Sequence, residues 1–160
     1  EIQTIYLDYQ SKTSVNLIKI LAKELWKINP NWKDADTNYI DNITGKSAGL
    51  VIGDRAFDLA ERYRYTFDLG DGWKRLTGLP FVFACWVAKT GVPNSVKTKF
   101  NEALKYGMDY REDLISELKL ESGVDYSNYL KNRILFTKGD KGREAISLFL
   151  NYLATPIIIS

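Results

Sequence analysis

The chain has 160 residues, with 22 basic and 20 acidic side chains for a net charge of +2, and 45% of it is hydrophobic. That composition supports a packed core rather than disorder, and near-balanced charge without a basic stripe of interleaved aromatics argues against a nucleic-acid surface. With no His and one Cys, a His–carboxylate triad, a His metal site and an internal disulfide are excluded, so transition-metal binding is not expected and proton transfer falls to Asp, Glu, Lys, Tyr, water or substrate.

The chain opens at Glu1, without Met, directly in a strand-like segment, so Glu1 is not expected to be the start of translation. No signal peptide, membrane span, repeat or low-complexity tract is visible. Ile2 to Leu7 alternates and is rich in β-formers, which predicts a strand. The polar turn D-Y-Q-S-K-T-S at Asp8–Ser14 follows it. Leu17, Ile18, Leu21 and Leu25 then recur at helical spacing. Ser11, Thr13 and Ser14 crowd the helix start, where unpaired backbone N–H groups and the dipole favour an anion. N-capping by Ser11 or Thr13 explains one of these hydroxyls. Two readings stay open, a cap alone or a carboxylate or phosphate site.

Asn29-Pro30-Asn31 marks a turn, and Trp32 fits a short strand. Asn38 to Gly45 reads as a short helix or loop. Ala48 to Ile52 predicts a short buried strand ending at Gly53-Asp54, after which Ala56, Phe57, Leu59 and Ala60 predict a helix. Ligands of open α/β sheets collect at such strand ends, although Asp54 also suits a plain N-cap. Tyr63 to Leu69 reads as another strand. Gly70 to Leu76 suits one or two helical turns, which Thr77-Gly78-Leu79-Pro80 breaks.

From Leu79 to Ala88 every residue is apolar. Ten residues are too few for a membrane span. Extended, they would cover ~33 Å, and an unbroken apolar run predicts a strand buried on both faces, with Cys85 as a small buried hydrophobe. Beyond Gly91-Val92-Pro93-Asn94 the pattern is helical. Val96, Phe100, Ala103 and Leu104 form one face. Leu114, Ile115 and Leu118 form a second, and Tyr126, Tyr129, Leu130 and Ile134 a third. Gly139 to Gly142 reads as a break. Ile146, Phe149, Leu150 and Leu153 predict a last helix before Pro156. Lys131, Arg133, Lys138, Lys141 and Arg143 are expected on solvated faces and ends. The expected organisation is an α/β lobe over 1–89 and a helical region over 90–160.

Several of these stretches resemble one family. They are Y-L-D-Y-Q-S-K-T-S-V-N-L at 6–17, G-L-V-I-G-D-R-A at 49–56, D-L-G-D-G-W-K-R-L-T-G-L-P-F-V-F-A-C-W at 68–86, and Y-L-K-N-R-I at 129–134. They are similar to chorismate dehydratase of the futalosine route to menaquinone. A sister enzyme, dihydroxynaphthoate synthase, carries His in place of Gly53 and continues differently after T-G-L-P, so the dehydratase branch is favoured.

The resemblance implies an α/β, type II periplasmic-binding-protein-like fold of two lobes with a helical C-terminal region. It implies a cytoplasmic hydro-lyase that needs no cofactor and converts chorismate, a small dicarboxylate, to 3-[(1-carboxyvinyl)oxy]benzoate and water. No nucleic-acid or membrane partner is implied. It places Ser11, Thr13 and Ser14 on a substrate carboxylate, Gly53 and Asp54 at the cleft wall, and Thr77 and Gly78 at the lobe junction, before a strand that crosses between lobes. Family members carry a further N-terminal part with an S-Y-L-N-type segment, so the chain is expected to hold part of the active site, and no general base is assigned. The alternative is a non-catalytic two-lobed protein that grips a small carboxylate.

Overall fold

The computed structural model describes residues 2–60, 62–117, 125–136 and 139–154. Leu118, Lys138 and Pro156, singled out above, lie outside them. The described residues are mixed α/β, with a three-stranded parallel sheet and seven α-helices. They divide into two compact units. One takes the residues through Phe83 and those from Gly139 onward, and the other takes those between.

In the first unit, β1 (Thr4–Leu7) is the central strand, flanked by β2 (Asn31–Asp34) and β3 (Ser47–Gly49). Thr4 pairs with Asn31 on one side and with Ser47 on the other. Ile5 and Leu7 are buried, as the alternation of β1 dictates. They pack with Ile18 and Leu50, and Val15, Trp32 and Ile52 close the cluster.

Helix α1 (Lys12–Leu21) follows β1 after a four-residue turn and runs into a π-helical turn at Ala22–Trp26. Lys27, in the left-handed region at φ 54°, closes it. The spacing of Leu17, Ile20 and Leu21 turns one face of α1 toward α3 (Leu69–Thr77), where all three pack around Trp73. Burying each such aliphatic side chain contributes about 1.5–3 kcal/mol. Gly72 permits the close approach, because a β-carbon there would stand 2.9 Å from Leu21 Cδ1.

The last helix, α7 (Gly139–Ala154), completes this second cluster. The ring of Trp73 meets Phe81, Phe149 and Tyr152 edge-on at 5.4, 6.0 and 6.0 Å. Its buried Nε1–H has no hydrogen-bond acceptor among the described residues. The expected break at Gly139–Gly142 is instead the first turn of α7, where Arg143 pairs with Asp140.

Two expected strands do not form. Tyr63–Leu69 is irregular up to α3, and Tyr65 and Phe67 are exposed. Its alternation is real, but no described strand offers it a ladder. Leu79–Ala88 is also irregular. Pro80 lacks a donor, and no described strand pairs with the run. Leu79 to Val82 are partly buried, Phe81 against Trp73, whereas Trp86 and Val87 are 76% and 87% exposed. Cys85 is exposed rather than a core residue. An apolar run predicts burial only where two covering faces exist, and beyond Val82 the ring contacts of Phe83 and Trp86 leave both side chains more than half exposed.

The second unit is helical, with α4 (Asn94–Asp109), α5 (Arg111–Glu117) and α6 (Tyr126–Asn128), the last running into a π-helical turn at Tyr129–Arg133. Trp86 packs on Phe100 at 5.1 Å between ring centres, and Lys131 pairs with Glu112 at 3.1 Å. No described residue of α4, α5 or α6 is fully buried. Among the described residues no helix is long and apolar enough to cross a membrane.

Candidate functional site

In a parallel sheet all strands end on one side, so the loops after β1 and β3 meet there. β1 delivers Asp8, Tyr9, Gln10 and Ser11 into α1. β3 continues through Leu50, whose N–H donates to Tyr6 O at 2.8 Å, to Gly53, Asp54 and α2 (Arg55–Ala60).

Asp8 is the hub of this end. Its side chain is fully buried. Oδ1 accepts from the Gln10 N–H at 2.8 Å, which folds the turn after β1. Oδ2 accepts from Arg55 Nη2 at 2.7 Å, so an ion pair links the ends of β1 and β3. The same Nη2 donates to Gln10 Oε1 at 3.0 Å, and the guanidinium lies 5.8 Å from the Tyr9 ring centre.

Tyr39, on the short 3-10 turn Tyr39–Asn42, reaches the hub from beneath. Its hydroxyl lies 2.6 Å from Leu50 O and 3.0 Å from Asp8 Oδ2, so one proton serves two acceptors. Burial first, then the charge of Asp8 and its hydrogen bond, push the Tyr39 phenol well above its ordinary range, with Arg55 opposing.

The start of α1 sits beside the hub. Ser11 is the N-cap: its Oγ accepts from the Ser14 N–H at 3.1 Å and donates to Ser14 Oγ at 3.0 Å. Ser14 is buried, and Thr13 is half-buried with no hydrogen-bond partner for its hydroxyl among the described residues. Capping thus occupies the Ser11 hydroxyl and the Ser14 N–H. The N–H groups of Lys12 and Thr13 belong to the first turn, where no intrahelical acceptor exists.

Gly53 has φ +69°, and a β-carbon there would meet nothing within 4 Å. Backbone conformation rather than crowding favours glycine. Asp54 is exposed, and its carboxylate makes no hydrogen bond among the described residues, so it does not cap α2. Its carbonyl accepts from the Phe57 N–H at 3.0 Å.

Thr77 and Gly78 are not part of this network. Thr77 Oγ1 donates to Trp73 O at 2.8 Å and accepts from the Leu79 N–H at 3.1 Å. Gly78, at φ 76°, caps α3 through its N–H to Lys74 O. Ser11 and Ser14 bond to each other with Thr13 in the same turn, and the Asp8–Arg55 network adjoins them along the chain at Gln10, with Gly53 and Asp54 just before Arg55.

Asp8, Tyr39 and Arg55 were missed by sequence reasoning. The available signal was a charged residue just past each of two strands. An open hollow at the opposite end of the sheet is lined by Ile2, Gln3, Lys27, Ile28, Asn29, Asn31 and Lys46. It lies at the amino ends of the strands, whereas ligands of open α/β sheets collect at the carboxyl ends, which therefore carry the candidate site.

Asp8–Arg55 pins the two turns, the helix start offers unspent N–H donors, and Thr13 adds a free hydroxyl. This arrangement can hold a small anion by neutral donors. The family model described as menaquinone biosynthesis matches residues 1–155, in line with the motifs quoted above, and the chain belongs to that family.

Proposed function

We propose that the chain is a chorismate dehydratase, a cytoplasmic hydro-lyase of the futalosine route, within a two-lobed fold of the type II periplasmic-binding-protein kind. Residues 1–89 would form an α/β lobe of that fold, and 90–160 its C-terminal helical region. The substrate is the dicarboxylate chorismate, and the products are 3-[(1-carboxyvinyl)oxy]benzoate and water. One ring proton and the ring hydroxyl leave together as water, and aromatisation of the ring drives the step.

The residues here bind and orient. One carboxylate lies against the first turn of α1, held by Thr13, Ser14 and the free N–H groups, with Ser11 keeping that turn in place. Gly53 and Asp54 form the cleft wall, and Thr77 and Gly78 border the junction before Leu79. A substrate carboxylate serves as base, since no side chain of this network is poised for it. Gly53 is the observation that favours this branch of the family. The sister enzyme has His at that position, and a His in this turn would have to adopt φ +69°.

The test is to incubate the full-length protein with chorismate and follow the carboxyvinyloxybenzoate product. Chorismate bound but never consumed would overturn the enzyme reading in favour of a non-catalytic carboxylate-binding protein.

A further inference from the structure

The Asp8–Arg55 pair does more than neutralise a buried charge. Arg55 carries five N–H donors. Both of its described hydrogen bonds, to Asp8 Oδ2 and Gln10 Oε1, use Nη2. Nη1 keeps two donors that no described residue accepts, and it is not among the buried side-chain atoms that lack a partner. The side chain is one-third exposed while Asp8 is fully buried, so the pair has an inner and an outer end. Asp8 fixes the guanidinium from inside, and the Tyr9 ring 5.8 Å away borders it. Gln10, which Arg55 holds, is the immediate neighbour of the Ser11 cap.

We infer that Arg55, oriented by Asp8, is a second carboxylate anchor of the site and sets its preference for dicarboxylates over monocarboxylates. The inference rests on the reading of the substrate as a dicarboxylate. Two carboxylates need two anchors. The first turn of α1 supplies neutral donors for one, and Nη1 supplies charge-assisted donors for the other. Pre-orientation by a buried partner matters because a free Arg would lose rotamer entropy on binding.

The test uses stable probes, so it does not depend on turnover. Benzene-1,3-dicarboxylate and benzoate are titrated calorimetrically into the full-length protein at fixed ionic strength. The wild type is expected to bind the dicarboxylate at least roughly tenfold tighter, as a charge-assisted contact implies. Arg55→Lys keeps a countercharge for Asp8 but gives up Nη1. It is expected to melt near the wild-type temperature and to bind the two probes within about threefold of each other. Arg55→Gln is expected to lose the preference as well.

A wild type without the preference overturns the inference before any variant is made. So does a folded Arg55→Lys protein that keeps it. Chorismate turnover by a wild type that shows no dicarboxylate preference removes Arg55 alone. A preserved preference without turnover removes the dehydratase reading alone.

Discussion

Asp8 and Arg55 meet at 2.7 Å across the carboxyl ends of β1 and β3, and the Asp8 side chain has no exposed surface. Breaking a buried pair leaves a charge without compensation, at a cost of about 3–5 kcal/mol. Arg55 is one-third exposed and can recover part of its hydration, so Asp8→Ala is expected near the lower end, about 3 kcal/mol. Urea unfolding checks this, and a loss below about 1 kcal/mol would show that the pair does not clasp the two turns.

Tyr39 gives the fold a limit at high pH. An unfolded tyrosine titrates near 10.0, whereas burial beside Asp8 pushes the folded phenol above that. Above pH 10 the unfolded chain therefore binds fewer protons than the native one, and stability falls as pH rises. The contribution is fully present below pH 10 and declines by at most about 1.4 kcal/mol per pH unit above it. Tyr39→Phe should be less stable at pH 7 by about 1–3 kcal/mol, because Asp8 and Leu50 lose a donor. Its stability should also fall less steeply than the wild type's between pH 10 and 11. Parallel curves in denaturant melts would remove Tyr39 as the cause.

Ser11 and Thr13 should separate stability from binding. Ser11 accepts the Ser14 N–H, so Ser11→Ala should cost about 1 kcal/mol of unfolding free energy. Thr13→Val with Ser14→Ala removes two hydroxyls and no cap acceptor. It should shift the melting temperature little and weaken carboxylate binding by roughly tenfold or more. Unchanged affinity in that double variant would strike Thr13 and Ser14 from the site.

Gly53 and Gly72 are glycines for different reasons, and alanine should reveal it. At Gly53 there is space but a left-handed backbone, so Gly53→Ala should cost about 1–2 kcal/mol of strain. At Gly72 the backbone is helical, and the new methyl group meets Leu21, which is fully buried. Helix propensity favours alanine by about 1 kcal/mol and offsets part of that crowding. Net of that gain, Gly72→Ala should still lose up to about 2 kcal/mol, and Gly72→Val, with two further methyl groups and a poorer helix propensity, should lose more. Equal losses for both Gly72 variants in thermal melts would contradict this ordering.

The first 60 residues were largely legible in the sequence because each element carried its own signal. β1 alternates, α1 has a capped start and a clear apolar spacing, and Gly53 ends a small apolar run. Tyr63–Leu69 and Leu79–Ala88 were misread because strand character depends on a neighbour, and local pattern says nothing of whether one is present. The helix start at Ser11–Ser14 was legible from three hydroxyls in four residues. Asp8, Tyr39 and Arg55 were not, because they lie far apart in the chain and act together only after β1 and β3 pair. Asp8 and Arg55 are 47 positions apart, and Asp8 and Tyr39 are 31.

The contact of Trp73 with Phe149 and Tyr152 also sets an order of events during synthesis. The chain must make the whole segment after Phe81 before those two rings exist to cover the indole. At about 5–20 residues per second, that interval is roughly 4–14 s. Through it the α1–α3 face stays open to solvent and to other nascent chains. α7 is thus the element that completes the cover of Trp73.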